Sequence, residues 1–169
     1  MCIRDSARPA NATTYTTPVE LTQILHDVIH KLERLPEVLI TQDLPDSISV
    51  MGNETDLRRV INNLFENARR YGRTPTSGLC EIDVSATVQH NMATIDIADH
   101  GTGVPEEEKT YLLQPFTRLD SARGQANGAG LGLAIVDRII QRHGGAFELL
   151  NRKSGGLIVR ITLPTHRKS

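Results

Sequence analysis

Asp99-His100-Gly101-Thr102-Gly103 and, further along, Gly128-Ala129-Gly130-Leu131-Gly132-Leu133 are the stretches from which the architecture of this chain is read. Each glycine cluster stands where regular structure changes. The first follows Met92-Ala93-Thr94-Ile95-Asp96-Ile97-Ala98, whose alternation predicts a strand. The second precedes the apolar periodicity of a helix predicted over Leu131 to His143. Glycine lets the backbone take positive φ and come close to a ligand. A helix N-terminus behind such a loop offers unpaired N–H groups and a partial positive charge to a phosphate. Two such loops around the small, polar stretch Ser121 to Ala129 predict a nucleotide site with a mobile lid.

Working outward, Thr17, Pro18 and Glu20 predict the N-cap, first position and capping box of a helix. Leu21, Ile24, Leu25, Val28, Leu32 and Leu35 form its apolar stripe, and Pro36 closes it. Glu37 to Asp43 and Ile48 to Met51 predict two strands about a turn at Pro45-Asp46. Asn53 or Thr55 caps a second helix whose buried face is Leu57, Val60, Ile61, Leu64, Phe65 and Ala68, ending near Tyr71-Gly72. Glu81 to Gln89 alternates as a half-buried strand, and Asn91 turns the chain into the next one. Pro105 with Glu106, Glu107 and Glu108 predicts a short helix. Phe147 to Leu150 and Leu157 to Leu163 predict a closing hairpin around Ser154-Gly155-Gly156. This order predicts an α/β (α+β) two-layer sandwich, with helices on one face of a mixed, largely antiparallel sheet. Residues 1–17 are expected to be a disordered linker or foreign lead, 18–165 the domain, and 166–169 a tail.

The 169 residues suit one domain. An apolar content of 38% with 23% charged residues fits a water-soluble globular fold. A formal charge of −1 provides no global pull toward nucleic acid or an acidic membrane. Cys2 and Cys80 form neither a CxxC pair nor a disulfide framework, which suits a reducing compartment. No apolar run approaches the roughly 18–20 residues needed to span a bilayer, and no signal-peptide pattern opens the chain. With no Trp and 4% aromatics, a stacking platform for single-stranded nucleic acid is not expected.

On the second helix Asn63, Asn67 and Arg70 fall on one strip beside the apolar face. That strip is either a solvated polar edge or a site in which amide oxygens ligate Mg²⁺ and the guanidinium meets phosphate. Asp99 either starts a turn or accepts a hydrogen bond from an exocyclic amine such as that of adenine. Phe116, Arg118 and Arg123 lie within the expected lid, where the arginines are either surface charges or γ-phosphate ligands. The glycines at 128, 130 and 132 follow a polar loop rather than a first strand, which disfavours a dinucleotide fingerprint. His26 and His30 are four apart on the first helix, but no third ligand or HExxH accompanies them, so they are read as surface residues.

In this order the motifs resemble the ATP-binding catalytic domain of bacterial sensor histidine kinases. Asn63-Leu64-Phe65-Glu66-Asn67-Ala68-Arg69-Arg70-Tyr71 resembles the N box, and Asp99-His100-Gly101-Thr102-Gly103-Val104 the G1 box. Gln114-Pro115-Phe116-Thr117-Arg118 resembles the F box, and Gly128 through Val136 the G2 box. The stretch from Phe116 to Arg123 looks closest to the osmolarity-sensor type. The resemblance implies the Bergerat ATP-binding fold, with ATP and Mg²⁺ as cofactors. It implies Asn67 as the main Mg²⁺ ligand with Asn63 assisting, Arg70 near the phosphates and Tyr71 beside adenine. Asp99 would read the adenine amine. Gly101, Gly103, Phe116, Gly128, Gly130, Leu131 and Gly132 would shape the pocket and lid, and Arg118 and Arg123 would contact the γ-phosphate.

Two departures stand out. His100 and Thr102 occupy positions where the family often has Asn and Pro or Arg. The helical hairpin that dimerises and carries the phospho-acceptor histidine is not in this sequence. The chain is therefore expected to be a monomeric cytoplasmic piece of a membrane-anchored homodimer, with a response regulator as downstream partner and no nucleic acid. Two alternatives share the fold: an anti-sigma-factor-type serine kinase, whose lid usually lacks an F box, and a non-catalytic ATP-binding regulatory module. Gyrase and chaperone ATPases place a Glu as water-activating base where Asn63 stands, so efficient hydrolysis is not expected.

Overall fold

Apolar side chains at every second position decide which face of the sheet is covered. A computed structural model describes residues 15–101, 127–153 and 155–166, without the side chains of Tyr71 and residues 127–132. Within these ranges β2 (Val38–Asp43), β4 (Cys80–Gln89), β5 (Met92–Asp99), β6 (Ala146–Asn151) and β7 (Leu157–Pro164) form one sheet in the order β2-β4-β5-β7-β6. β2 pairs with β4 in parallel, and the other three pairings are antiparallel. Ile82, Val84 and Ala86 of β4, Ile95 and Ile97 of β5, and Val159 and Ile161 of β7 are buried on one face. Pairs such as Val84↔Ile97 and Ile95↔Ile161 place them side by side. Asp96 and Arg160, directly opposite each other, mark the uncovered face with a two-point ion pair of 2.8 and 2.9 Å. The two-layer, mixed-sheet expectation is met.

Helices α1 (Leu21–Leu32), α2 (Glu54–Tyr71) and α3 (Asn127–Arg142) cover the apolar face. α2 buries the expected row Leu57, Val60, Ile61, Leu64, Phe65 and Ala68. Of its two candidate caps, Asn53 takes the position and accepts the Asp56 N–H at 2.9 Å. His90 and Asn91, both with positive φ (53° and 62°), make the tight turn from β4 to β5.

Two local expectations are corrected. Pro18–Glu20 is not a helical first turn but strand β1, which pairs antiparallel with β3 (Ser49–Met51) as a separate two-stranded sheet. Glu20 forms no capping box with Thr17. Its carboxylate accepts the Ile48 N–H and the Ser47 hydroxyl, each at 2.7 Å. Val19, 3% exposed, explains why: seating it in the core and pairing β1 with β3 outweighs one local cap. The second correction concerns α3, which begins at Asn127 rather than Leu131, so Gly128 and Gly130 lie inside its first turn rather than in a loop before it. A glycine in a helix costs about 1 kcal/mol relative to alanine. Here the tertiary contacts of Leu133, Val136, Ile139 and Ile140 hold the helix despite that cost.

The first fourteen residues of the expected lead, the short helix near Pro105 and most of the lid lie outside the described residues. Thr17 and Tyr15, also within that expected lead, are docked. The Thr17 carbonyl accepts the Gly52 N–H at 2.9 Å, and the Tyr15 ring stacks on His143 with centroids 4.1 Å apart. His26 and His30 are exposed. Among the described residues no helix is long and apolar enough to cross a membrane.

Candidate nucleotide site

Asp99 ends β5 and is 6% exposed, which is low for a carboxylate with no ion pair among the described residues. Its Oδ1 accepts two backbone N–H groups, from Gly101 and from Leu157, each at 3.0 Å. Among the described residues no donor reaches its Oδ2. Among the described residues the carboxylate is therefore held on one oxygen only. Such an acceptor suits a ligand N–H.

Two glycines allow this placement. A Cβ on Gly72, just past α2, would lie 2.4 Å from the Asp99 Cβ. A Cβ on Gly156 would lie 2.1 Å from the Asp99 carbonyl oxygen, and Gly156 has φ of +105°, a conformation side-chain-bearing residues avoid. The end of α2 and the β6–β7 connection are thus both pressed against Asp99.

α2, whose end at Gly72 abuts Asp99, carries the N-box residues. Asn63 and Asn67 are half-buried, one turn apart, and among the described residues neither amide makes a hydrogen bond. Half-buried amides with no partner among the described residues offer oxygen atoms that suit a hard cation. Arg70 is exposed and leans toward Glu66 at 3.6 Å, while Arg69 takes Glu66 more closely at 2.8 Å. Tyr71 is the last residue of α2, and its side chain lies outside the described residues. Gly101 is buried and serves Asp99 directly. Gly103, Phe116, Arg118 and Arg123 lie outside the described residues. Gly128, Gly130, Leu131 and Gly132 occupy the first turns of α3, where the leading N–H groups have no intrahelical acceptor. Among the described residues no group of three or more His, Cys, Asp or Glu converges as a metal site.

Three residues at this corner were not singled out as site residues in the sequence. Arg152 Nη1 donates to the Asp99 main-chain oxygen at 3.0 Å and lies 3.3 Å from Asp83 Oδ2. His100 Nε2 lies 3.0 Å from the same Asp83 oxygen and 3.1 Å from Arg152 Nη1. His100 was visible only as a departure from the motif. Arg152 gave no signal, because its partners stand 52 to 69 positions away.

Residues 52–167 match the family described as histidine kinase-, DNA gyrase B-, and HSP90-like ATPase. The chain is 32% identical over 161 residues to the sensor protein CutS of Streptomyces coelicolor, covering 94% of this chain and 38% of that protein. It is 32% identical over 149 residues to the sensor histidine kinase CpxA of Escherichia coli K12, covering 88% of this chain and 31% of CpxA. It thus spans little more than a third of these relatives at most. The solved histidine kinase domain of the E. coli osmosensor EnvZ is 35% identical, with a TM-score of 0.66 and 95% of each chain covered. A carboxylate held on one oxygen only among the described residues, amides on the adjoining helix and these matches lead to one assignment: the chain belongs to the histidine kinase-, DNA gyrase B- and HSP90-like ATPase family, among the sensor histidine kinases.

Proposed function

We propose that this chain binds Mg-ATP and, within a longer two-component sensor kinase, delivers the γ-phosphate to a histidine on a dimerisation hairpin. The observation that carries this reading is Asp99: Oδ1 is held by two backbone N–H groups, and Oδ2 is left for the exocyclic amine of adenine. Asn67 and Asn63 are assigned to Mg²⁺, which would neutralise phosphate charge. Arg70, Arg118 and Arg123 are assigned to the phosphates, Tyr71 and Phe116 to the walls of the adenine pocket, and the glycines of both boxes to loop and helix-end contacts. Transfer of a phosphoryl group is mostly positioning and charge neutralisation, and the side chains on α2 suit that task. Asn63 stands where gyrase and chaperone ATPases place a water-activating Glu, which supports transfer over efficient hydrolysis. The response regulator, a homodimeric whole protein and its placement at a bacterial inner membrane with this domain in the cytoplasm belong to the same proposal.

Titration calorimetry tests the binding step: ATP with and without Mg²⁺, alongside ADP and GTP. Mg-dependent, adenine-selective binding supports the reading, and no binding by the folded chain overturns it. Added hairpin should then gain acid-labile, base-stable phosphate. Acid-stable phosphate would favour the serine-kinase alternative. Asn67→Ala is expected to weaken Mg-ATP binding at least tenfold, roughly 1.4 kcal/mol, with little effect on ATP in the presence of a chelator. Equal losses with and without Mg²⁺ would remove Asn67 from the metal.

A further inference from the structure

We propose that Arg152 is a positioning residue for the nucleotide, holding the end of β5 so that the Asp99 carboxylate meets adenine in one fixed orientation. The proposal rests on Asp99 as the adenine reader. The ladder between β5 and β7 ends at Ala98↔Ile158, so the Asp99 carbonyl is the first beyond it. Arg152 takes that oxygen at 3.0 Å in place of a strand N–H.

The connection between β6 and β7, together with the first residue of β7, therefore meets Asp99 at three points. Leu157 N–H holds the carboxylate, Arg152 holds the carbonyl, and Gly156 fills the space against the same carbonyl. Arg152 is itself braced. Its N–H donates to the Gly156 carbonyl at 2.9 Å, and its own carbonyl accepts the Gly155 N–H at 3.2 Å. Asp83, one strand over and in register with Ala98, lies 3.3 Å from the guanidinium, and His100 abuts both. The His100 Nε2 can donate to Asp83 or accept from Arg152, but not both at once.

An ion pair this open to solvent contributes little to stability. Asp83 is 41% exposed and Arg152 21%. Its contact with the main chain of a ligand-reading residue gives it a different consequence: removal should loosen Asp99 rather than unfold the domain. A rigid, pre-oriented acceptor loses less freedom on binding than a mobile one.

The test uses this chain and two probes, Mg-ATP and Mg-inosine triphosphate, which has a carbonyl where adenine has its amine. Wild type is expected to prefer ATP by about tenfold or more, as a buried charged acceptor predicts. Arg152→Ala should weaken ATP about five- to tenfold, leave inosine triphosphate nearly unchanged, and so erode the preference. Arg152→Lys, which keeps one charged donor, should restore part of it. A merely structural role would lower the melting temperature and weaken both nucleotides alike. If Arg152→Ala folds poorly, Arg152→Lys and Arg152→Gln decide by the same ratio. A wild-type ratio in these Arg152 variants, with the preference lost in Asp99→Asn, overturns the proposal and keeps Asp99 as reader. No preference in wild type overturns both.

Discussion

Asp99→Asn is expected to weaken Mg-ATP binding about 10- to 100-fold, because a hydrogen bond to a charged acceptor is worth about 1.5–3 kcal/mol. The loss follows from how the carboxylate is held. Gly101 and Leu157 both donate to Oδ1, so an asparagine must present its carbonyl oxygen to them. Its NH₂ then occupies the place of Oδ2 and faces the adenine amine, donor against donor. The substitution is close to isosteric and keeps both backbone hydrogen bonds, so the melting temperature should change little. Calorimetry with ATP decides it, and unchanged affinity would remove Asp99 from the adenine site.

The second large effect concerns stability and pH. His143 follows α3 directly and is buried. Its Nδ1 sits 2.8 Å from the Ile139 carbonyl, and its Nε2 accepts the Asn53 N–H at 3.2 Å. The hydrogen bonds assign a neutral ring with the proton on Nδ1. One imidazole thus ties the C-terminal end of α3 to the N-terminal end of α2, while Tyr15 stacks on its face. His143→Ala removes both bonds, leaves the Asn53 N–H without its acceptor and opens a cavity. The expected cost is about 3 kcal/mol, or a melting temperature lower by roughly 6–12 °C.

Burial pushes the His143 pKa below its ordinary value, and the neighbouring Arg142 charge adds to this. The bond to Ile139 and the Asp56 carboxylate oppose it more weakly. With the folded pKa depressed, the unfolded chain binds the proton more readily. The stability is therefore fully present above the unfolded pKa of about 6.5 and is lost as pH falls from there toward the lowered folded value. Protonation would also set an Nε2–H against the Asn53 N–H. The wild-type melting temperature should fall from pH 7.5 to 5.5 more steeply than that of His143→Gln. Equal slopes would show that His143 is not the group responsible.

The residues offered for the proposed site were legible in the sequence. The strip of Asn63, Asn67 and Arg70 follows from helical periodicity, and the place of Asp99 follows from the alternating run that ends at it. Both are short-range patterns, repeated every few residues, and they need no knowledge of the rest of the chain. The failures share a cause. The Thr17 capping box lost to β1–β3 pairing, and the glycines of α3 lost to burial of its apolar face. In each case a contact between distant segments outweighed a local preference worth about 1 kcal/mol. Arg152 and His143 carried no readable signal, since an arginine or a histidine alone says nothing of a partner 53 or 90 residues away.

The sequence by itself determined the two-layer class, the apolar faces of the helices and the residue types offered to a nucleotide. The order β2-β4-β5-β7-β6 was decided only in the tertiary structure, because alternation says which face a strand buries but not which strand lies beside it. That order brings the β6–β7 connection against the end of β5. It thereby adds the Leu157 N–H to the local Gly101 N–H on Oδ1 of Asp99, and the Leu157 bond exists only once the sheet has assembled.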